Sequence, residues 1–357
     1  KFLRNENYRI AAVSILIIIL ILVVTPIDLP FDLPSISLPE KQPSMKITTI
    51  NSESCDECFN ISSIIQELEN DGTIKITSME NIDLNSEKAQ NLIQEFNLDR
   101  LPVLIMETKN FELTNSQIFS EDIFTVKENF IVFERSVPYL DIGTGKVNGL
   151  VDFVEIQDPS CEECLGYSQI RELFVNLEVV EESYEFLDTN SERGKKLLDL
   201  NNINFAPSLL ISKNIEEYWW VFDGLIDGLE EKENYYLVTR KVYPLKDLDS
   251  GEIKGLTEFT YLVDETCEDC YDPKDLKDSF QNLGVFIQSE RDVDISSDEG
   301  KELIKLYNIK RIPTIIVSEE LQDYEDLRDL LGSSGTTENG IFVFRDVERL
   351  NVKYKEI

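Results

Sequence analysis

Histidine is absent from the 357-residue sequence. Its absence excludes imidazole metal ligands and a histidine general base, and with them the Ser-His-Asp and Cys-His mechanisms. Basic residues are also scarce, because 34 lysines and arginines stand against 69 acidic residues, a formal net charge of −35. Phosphate binding needs a concentrated basic face, so nucleic acid is excluded as a partner. The acidic excess suits a soluble, self-repelling exterior.

No cysteine stands alone in the sequence. The six cysteines form three C-x-x-C pairs, Cys55/Cys58, Cys161/Cys164 and Cys267/Cys270, and the first cysteines follow each other at steps of 106 and 106 residues. Similarity at a constant period is the signature of tandem duplication. About 310 residues follow the N-terminal segment, which suits three domains of roughly 100 residues each.

The rest of the repeat follows the same period. An apolar or alternating strand precedes each cysteine pair, and a helix, a short strand and a second helix follow it. Serine, a preferred N-cap, opens each second helix, at Ser86, Ser191 and Ser297. An X-Pro pair then leads an apolar strand, with the prolines 47, 46 and 46 residues beyond the first cysteine, at Pro102, Pro207 and Pro313.

This order of elements resembles the thioredoxin superfamily, and its tandem form resembles protein disulfide isomerases and their relatives. The resemblance implies an α/β fold in which each unit has a mixed central sheet with helices on both faces. It also implies a cis bond before Pro102, Pro207 and Pro313, whose neighbouring backbone would hold substrate as an added strand. The predicted thioredoxin-like domains are residues 46–149, 150–255 and 256–357.

The placement of the pairs predicts thiol chemistry. The first cysteine of each pair is expected at a helix N-terminus, where free N–H groups and the helix dipole would stabilise a thiolate. That thiolate would attack a substrate disulfide, and the second cysteine would resolve the mixed disulfide, with no organic cofactor. The two carboxylates inside each pair oppose formation of the thiolate. We therefore expect each cysteine pair to react slowly or to have a low reduction potential. These acidic residues are Asp56, Glu57, Glu162, Glu163, Glu268 and Asp269.

Two other roles remain open for the pairs. Thiolates and carboxylates could hold a soft metal ion, but closed zinc sites take four cysteine or histidine ligands and each unit offers two, so we predict no metal. Purely structural disulfides would make the repeats a scaffold, although a four-residue ring gains little stability. The alternative to an oxidoreductase is therefore a non-enzymatic accessory subunit of a membrane or cell-surface assembly.

The N-terminal segment has a different character. Residues 10–27 carry no charge and are near the minimum length for a transmembrane helix. Basic residues precede this segment, so residues 1–9 are expected in the cytoplasm and the repeats outside the cell membrane. A cleavable signal peptide is the alternative interpretation. Residues 28–45 are proline-rich and predict an extended stalk. The expected partners are protein substrates or a membrane protein complex.

Overall fold

A computed structural model describes residues 43–70, 74–109 and 123–357. The predicted transmembrane segment 10–27 and most of the predicted stalk lie outside the described residues. Within these three ranges, no helix has both the length and the apolar character needed to cross a membrane.

The first repeat folds into strands and helices in the predicted order. Its alternating strand β1 precedes the cysteine pair, and the strand that follows Pro102 is almost wholly buried. The elements are β1 (Ser44–Asn51), α1 (Ile61–Asn70), β2 (Lys75–Asp83), α2 (Glu87–Phe96), β3 (Arg100–Leu101), β4 (Val103–Thr108), β5 (Phe124–Lys127), β6 (Phe130–Phe133), β7 (Tyr139–Asp141) and β8 (Val147–Asn148).

The second repeat follows the same order, and a helical segment lies between β12 and its last long strands. This segment consists of the 3₁₀ turns Lys213–Glu217 and Ile226–Gly228 around one short α-helix. The elements are β9 (Val151–Gln157), α3 (Ser168–Asn176), β10 (Glu181–Asp188), α4 (Glu192–Asn201), β11 (Phe205–Ala206), β12 (Ser208–Ser212), α5 (Trp219–Leu225), β13 (Leu229–Glu231), β14 (Tyr235–Val238), β15 (Leu245–Asp247) and β16 (Ile253–Lys254).

The third repeat has the corresponding helical segment and ends in a two-residue strand. Its 3₁₀ turns are Pro273–Leu276, Glu319–Asp323, Glu325–Leu327 and Val347–Leu350. The elements are β17 (Thr257–Val263), α6 (Lys277–Asn282), β18 (Ile287–Asp294), α7 (Asp298–Leu306), β19 (Arg311–Ile312), β20 (Thr314–Val317), α8 (Arg328–Ser334), β21 (Gly335–Glu338), β22 (Ile341–Phe344) and β23 (Lys355–Glu356).

Each repeat builds one five-stranded sheet with the same strand order, β2-β1-β4-β6-β5, β10-β9-β12-β14-β13 and β18-β17-β20-β22-β21. In the first and third repeats the first strand pairs parallel to the second and antiparallel to the strand after the proline. The sheets are therefore mixed and accompanied by helices, which confirms the predicted α/β class in this coarse form.

Alternation along the strands divides the first repeat's core between two faces of its sheet. Met45, Leu104 and Met106 belong to one buried cluster, while Val103 and Ile105 belong to another. The third repeat likewise has two buried clusters.

The predicted serine caps are present. The side chains of Ser86, Ser191 and Ser297 accept hydrogen bonds from the backbone N–H three residues later, at Ala89, Gly194 and Gly300. Such a bond satisfies one of the free donors at a helix start, so the second helix of each repeat begins where the sequence predicts.

The described chain divides into two compact units. One comprises the residues up to Asp152 with Leu173–Ser183 and Ser212–Leu229, and the other comprises Phe153–Glu172, Tyr184–Ile211 and Glu230–Ile357. The second repeat contributes to both units. The domain boundaries 46–149, 150–255 and 256–357 stay a prediction.

Candidate functional site

Every cysteine pair is closed as a disulfide. The bonds join Cys55 to Cys58, Cys161 to Cys164 and Cys267 to Cys270. Cys161 is buried, with 7% of its surface exposed, and the other five cysteines are half-buried. The acidic residues between the cysteines are exposed in all three repeats. Each disulfide therefore lies next to an exposed pair of acidic residues.

The loops that hold the cysteine pairs differ from the prediction in one respect that affects the chemistry. The following α-helices begin at Ile61, Ser168 and Lys277, well beyond the first cysteines, so the expectation of a first cysteine at a helix N-terminus is wrong. The capping residues lie beyond the pairs. Asn60 accepts a hydrogen bond from the N–H of Ser62 at 3.1 Å. The described helix ends therefore do not supply the expected stabilisation of a thiolate.

In the third repeat the helical segment also begins later than predicted, because its capping residue lies beyond the cysteine pair. Asp272 caps a 3₁₀ turn by accepting from the N–H of Lys274 at 2.9 Å, and Pro273 occupies the first position of that turn. Proline lacks an N–H and is favoured at the first position of a helical turn. These residues fix the start of the turn after the cysteine pair.

In the first and second repeats, the second cysteine lies close to the residue before the predicted proline. The bonds Leu101-Pro102, Ala206-Pro207 and Ile312-Pro313 are cis. The Sγ atom of Cys58 lies 3.7 Å from the carbonyl oxygen of Leu101, and that of Cys164 lies 3.8 Å from the carbonyl oxygen of Ala206. In a reduced pair, the thiol of the second cysteine could donate to this carbonyl. Such a bond favours the neutral thiol and leaves the first cysteine as the better nucleophile.

The backbone edge before each proline is already occupied. The short strands β3, β11 and β19 each pair antiparallel with a later strand of the same repeat, β7, β15 or β23, which we call the edge-pairing strands. Ile142 donates its N–H to the carbonyl of Asp99 at 2.8 Å. Hydrogen-bonded pairs alternate along an antiparallel ladder, so Leu101 exchanges backbone bonds with its partner Leu140.

The same register holds in the other repeats. Leu248 donates to the carbonyl of Asn204 at 2.8 Å, and Ile357 donates to that of Lys310 at 2.9 Å. The residue before the proline is therefore paired with the chain's own strand in every repeat. An added substrate strand at this edge would have to displace β7, β15 or β23.

An aspartate and a lysine flank the pair in the second repeat. Asp158 precedes Cys161 by three residues, and its carboxylate accepts from the N–H and hydroxyl of Ser160 at 2.8 and 2.7 Å. The ammonium of Lys246, on β15, lies 3.0 Å from this carboxylate and 2.6 Å from the Ser160 hydroxyl. Burial raises the pKa of Asp158, but the hydrogen bonds from Ser160 and Lys246 outweigh it and hold the pKa below its usual value.

The third repeat has the corresponding arrangement. The ammonium of Lys355, on β23, lies 2.6 Å from the carboxylate of Asp264, whose side chain is only 3% exposed. Hydrogen bonds from Lys355 and Thr266 lower the pKa of Asp264 to about 2. A second lysine, Lys353, pairs at 2.7 Å with Asp269, one of the acidic residues inside the cysteine pair.

Sequence reasoning missed these aspartate–lysine pairs. The two aspartates lie one period apart, at positions 158 and 264, and could have been found from the repeat. The lysines lie at positions 246 and 355, and their spacing of 109 residues differs from the repeat period of 106. In the first repeat, Ser52 occupies the aspartate position and Leu140 the lysine position.

The second repeat also buries a glutamate that the sequence analysis did not single out. Glu155, on β9, is 1% exposed and accepts from the side chain of Gln157 at 2.6 Å, from the N–H of Tyr167 at 3.2 Å and from the hydroxyl of Tyr184. Three donors satisfy the buried carboxylate, as a charge in this position requires. Thr49 and Tyr261 hold the corresponding positions of the other repeats.

The described residues form no cluster of three or more cysteine, aspartate or glutamate side chains suited to a metal ion.

No protein-family model and no curated protein matches the chain. Solved structures of thioredoxin-fold proteins are similar to it. ERdj5 form II has 12% identity over 83% of this chain and 41% of its own, with a TM-score of 0.15. The N-terminal domain of the alkylhydroperoxide reductase AhpF from Enterococcus faecalis has 17% identity over 47% of this chain and 81% of its own, also with a TM-score of 0.15.

Human ERp44 has 8% identity over 82% of both chains, with a TM-score of 0.13. This chain spans only 41% of the length of the ERdj5 chain.

Proposed function

We propose that this chain is a thiol–disulfide oxidoreductase that acts on protein disulfides outside the cell membrane, to which residues 10–27 anchor it. The observation that carries the proposal is the position of the second sulfur, within 4 Å of the carbonyl before the cis-proline in the first and second repeats, at 3.7 and 3.8 Å. A structural staple needs no such contact, whereas exchange needs a pair whose two sulfurs differ in their tendency to ionise.

The exchange needs only the cysteines and a dithiol as electron donor. The thiolate of Cys55, Cys161 or Cys267 attacks one sulfur of the substrate disulfide, which forms a mixed disulfide and expels the other sulfur as a thiolate. The second cysteine of the pair loses its proton to solvent and attacks the first cysteine's sulfur. The substrate leaves with its second thiolate, the pair closes as a disulfide, and two electrons have moved to the substrate. A dithiol then reduces the pair by the same two steps.

The charges around the pairs support a reducing or slow couple. The six acidic residues between the cysteines are exposed and stand beside the reacting sulfur, where they oppose a thiolate. A strong oxidant requires a stabilised reduced form, so we expect a low reduction potential. A potential as high as that of strong periplasmic oxidants would contradict this part of the proposal.

The test is the reduction of a protein disulfide by the full chain with dithiothreitol as donor. Serine at Cys58, Cys164 and Cys270 together removes the resolving thiols, and we expect mixed disulfides to accumulate. Serine at Cys55, Cys161 and Cys267 together removes the nucleophiles, and we expect neither turnover nor mixed disulfides. A wild-type chain no faster than dithiothreitol alone would overturn the proposal.

A second candidate function is that of a non-enzymatic scaffold in a membrane or cell-surface assembly. Two observations favour it: Cys161 is only 7% exposed, and an edge-pairing strand occupies the backbone beside each cis-proline. In this role the disulfides would stay closed during the working life of the protein. The same reduction assay separates the two candidates.

A further inference from the structure

The lysines of the second and third repeats occupy the same place in the fold. Lys246 on β15 pairs with Ala206, and Lys355 on β23 pairs with Ile312, so each lysine lies opposite the residue that precedes the cis-proline. Each ammonium contacts the carboxylate that stands three residues before the first cysteine. Two lysines 109 residues apart in sequence thus occupy one structural position.

A hydrogen-bonded turn joins the aspartate of this ion pair to the first cysteine. The N–H of Cys161 donates to the carbonyl of Asp158 at 3.0 Å, and the N–H of Cys267 donates to that of Asp264 at 2.9 Å. In the second repeat, Lys246 also donates to the hydroxyl of Ser160, the neighbour of Cys161. In this repeat the lysine therefore contacts the residue that directly precedes the first cysteine.

The charges near each site are otherwise mostly negative. At the second site they are those of Asp158, Glu162 and Glu163, with Glu155 buried in the strand that leads to the loop. At the third site they are those of Asp264, Glu265, Glu268, Asp269 and Asp294, with Lys353 as a further cation. Without its lysine, the aspartate would present an uncompensated and largely buried negative charge to the thiolate.

We propose that Lys246 and Lys355 are positioning residues that favour the thiolates of Cys161 and Cys267 by neutralising the aspartate beside each cysteine. The proposal rests on the proposed thiol exchange and identifies the residues that tune it. The Cys55–Cys58 pair has Leu140 at this position and lacks the lysine.

The experiment measures the pKa of the first thiol in the full chain, from the rise in thiolate ultraviolet absorbance of the reduced protein as pH increases. Each site is studied with the other two pairs replaced by serine. We expect Lys246→Met and Lys355→Met to raise this pKa by about one unit, a tenfold loss of thiolate below the pKa, because a like charge close to a titrating group disfavours its ionisation. Lys→Arg should restore the wild-type value.

The opposite sign is expected when the aspartate is neutralised. Asp158→Asn and Asp264→Asn keep the lysine and should lower the thiol pKa, whereas a merely structural role would move both variants in the same direction. Leu140→Met in the first repeat is the matched control at the same register and should leave the pKa of Cys55 unchanged. Lys305→Met is a second control, since this exposed lysine lies on α7.

Failure of the proposed role of the lysines can be distinguished from failure of the proposed function. Equal pKa values in the Lys→Met and Asp→Asn variants, or shifts of the same sign, would overturn the role of the lysines whether or not the chain reduces proteins. Opposite shifts would support it even in a chain without turnover, and the reduction assay alone would then decide against the proposed function.

Discussion

A buried tyrosine in the third repeat allows a stability prediction with a defined magnitude. The hydroxyl of Tyr324 accepts from the N–H of Phe286 at 2.8 Å and donates to the carbonyl of Gly255 at 2.7 Å. Tyr324 is 5% exposed, and its ring lies 4.4 Å from that of Tyr243, so phenylalanine should keep the packing and lose only the hydroxyl. Tyr324→Phe leaves two backbone groups without a partner, at roughly 1 kcal/mol each, and should therefore cost about 2 kcal/mol of unfolding free energy.

The measurement is amide hydrogen exchange at Phe286 in the full chain, together with denaturant unfolding. A loss of 2 kcal/mol corresponds to roughly thirtyfold faster exchange where the amide exchanges through opening of this repeat. Tyr354→Phe is the control, because Tyr354 is only half-buried and packs against the same core cluster as Tyr324. Acceleration of less than twofold with an unchanged unfolding midpoint would refute the reasoning, since both backbone groups would then have found other partners.

Three further predictions follow from the same structure. Ser297→Ala removes the cap of α7 and should lower the unfolding free energy by about 1 kcal/mol in denaturant titrations. The pKa of Asp264 is lowered to about 2, so its contribution to stability is present above its unfolded-state pKa. This contribution should be lost as pH falls from about 4 toward 2. Asp264→Asn should therefore make the unfolding free energy fall less steeply over this range in acid titrations. A small aromatic disulfide should oxidise the reduced chain faster than a folded protein disulfide does, because it need not displace an edge-pairing strand; equal rates would show that these strands do not restrict access.

The sequence predicts the local elements of this fold well because local physics determines them. Alternation predicts β1, and the serine caps predict the start of the second helix of each repeat. The prolines mark the buried strands because an X-Pro pair cannot continue a helix. The period of 106 residues extends these assignments from one repeat to the others.

The features that the sequence does not predict depend on pairing between distant segments. β3, β7 and β23 are two or three residues long, which is too short for a recognisable alternation, and only their partners define them. The helical segments of the first and third repeats begin later than the sequence predicts, because the residues that cap them, Asn60 and Asp272, lie beyond the cysteines.

The edge-pairing strands connect these long-range features to the chemistry. In the second and third repeats, the strand that occupies the backbone beside the cis-proline also carries the lysine that reaches the aspartate before the first cysteine. A polypeptide that displaced β15 or β23 would therefore remove that lysine from its aspartate as it bound. Under the proposed role of the lysines, binding of an extended substrate at these two sites would therefore destabilise the thiolate. At the first site β7 carries Leu140, so displacement would leave the charge beside Cys55 unchanged.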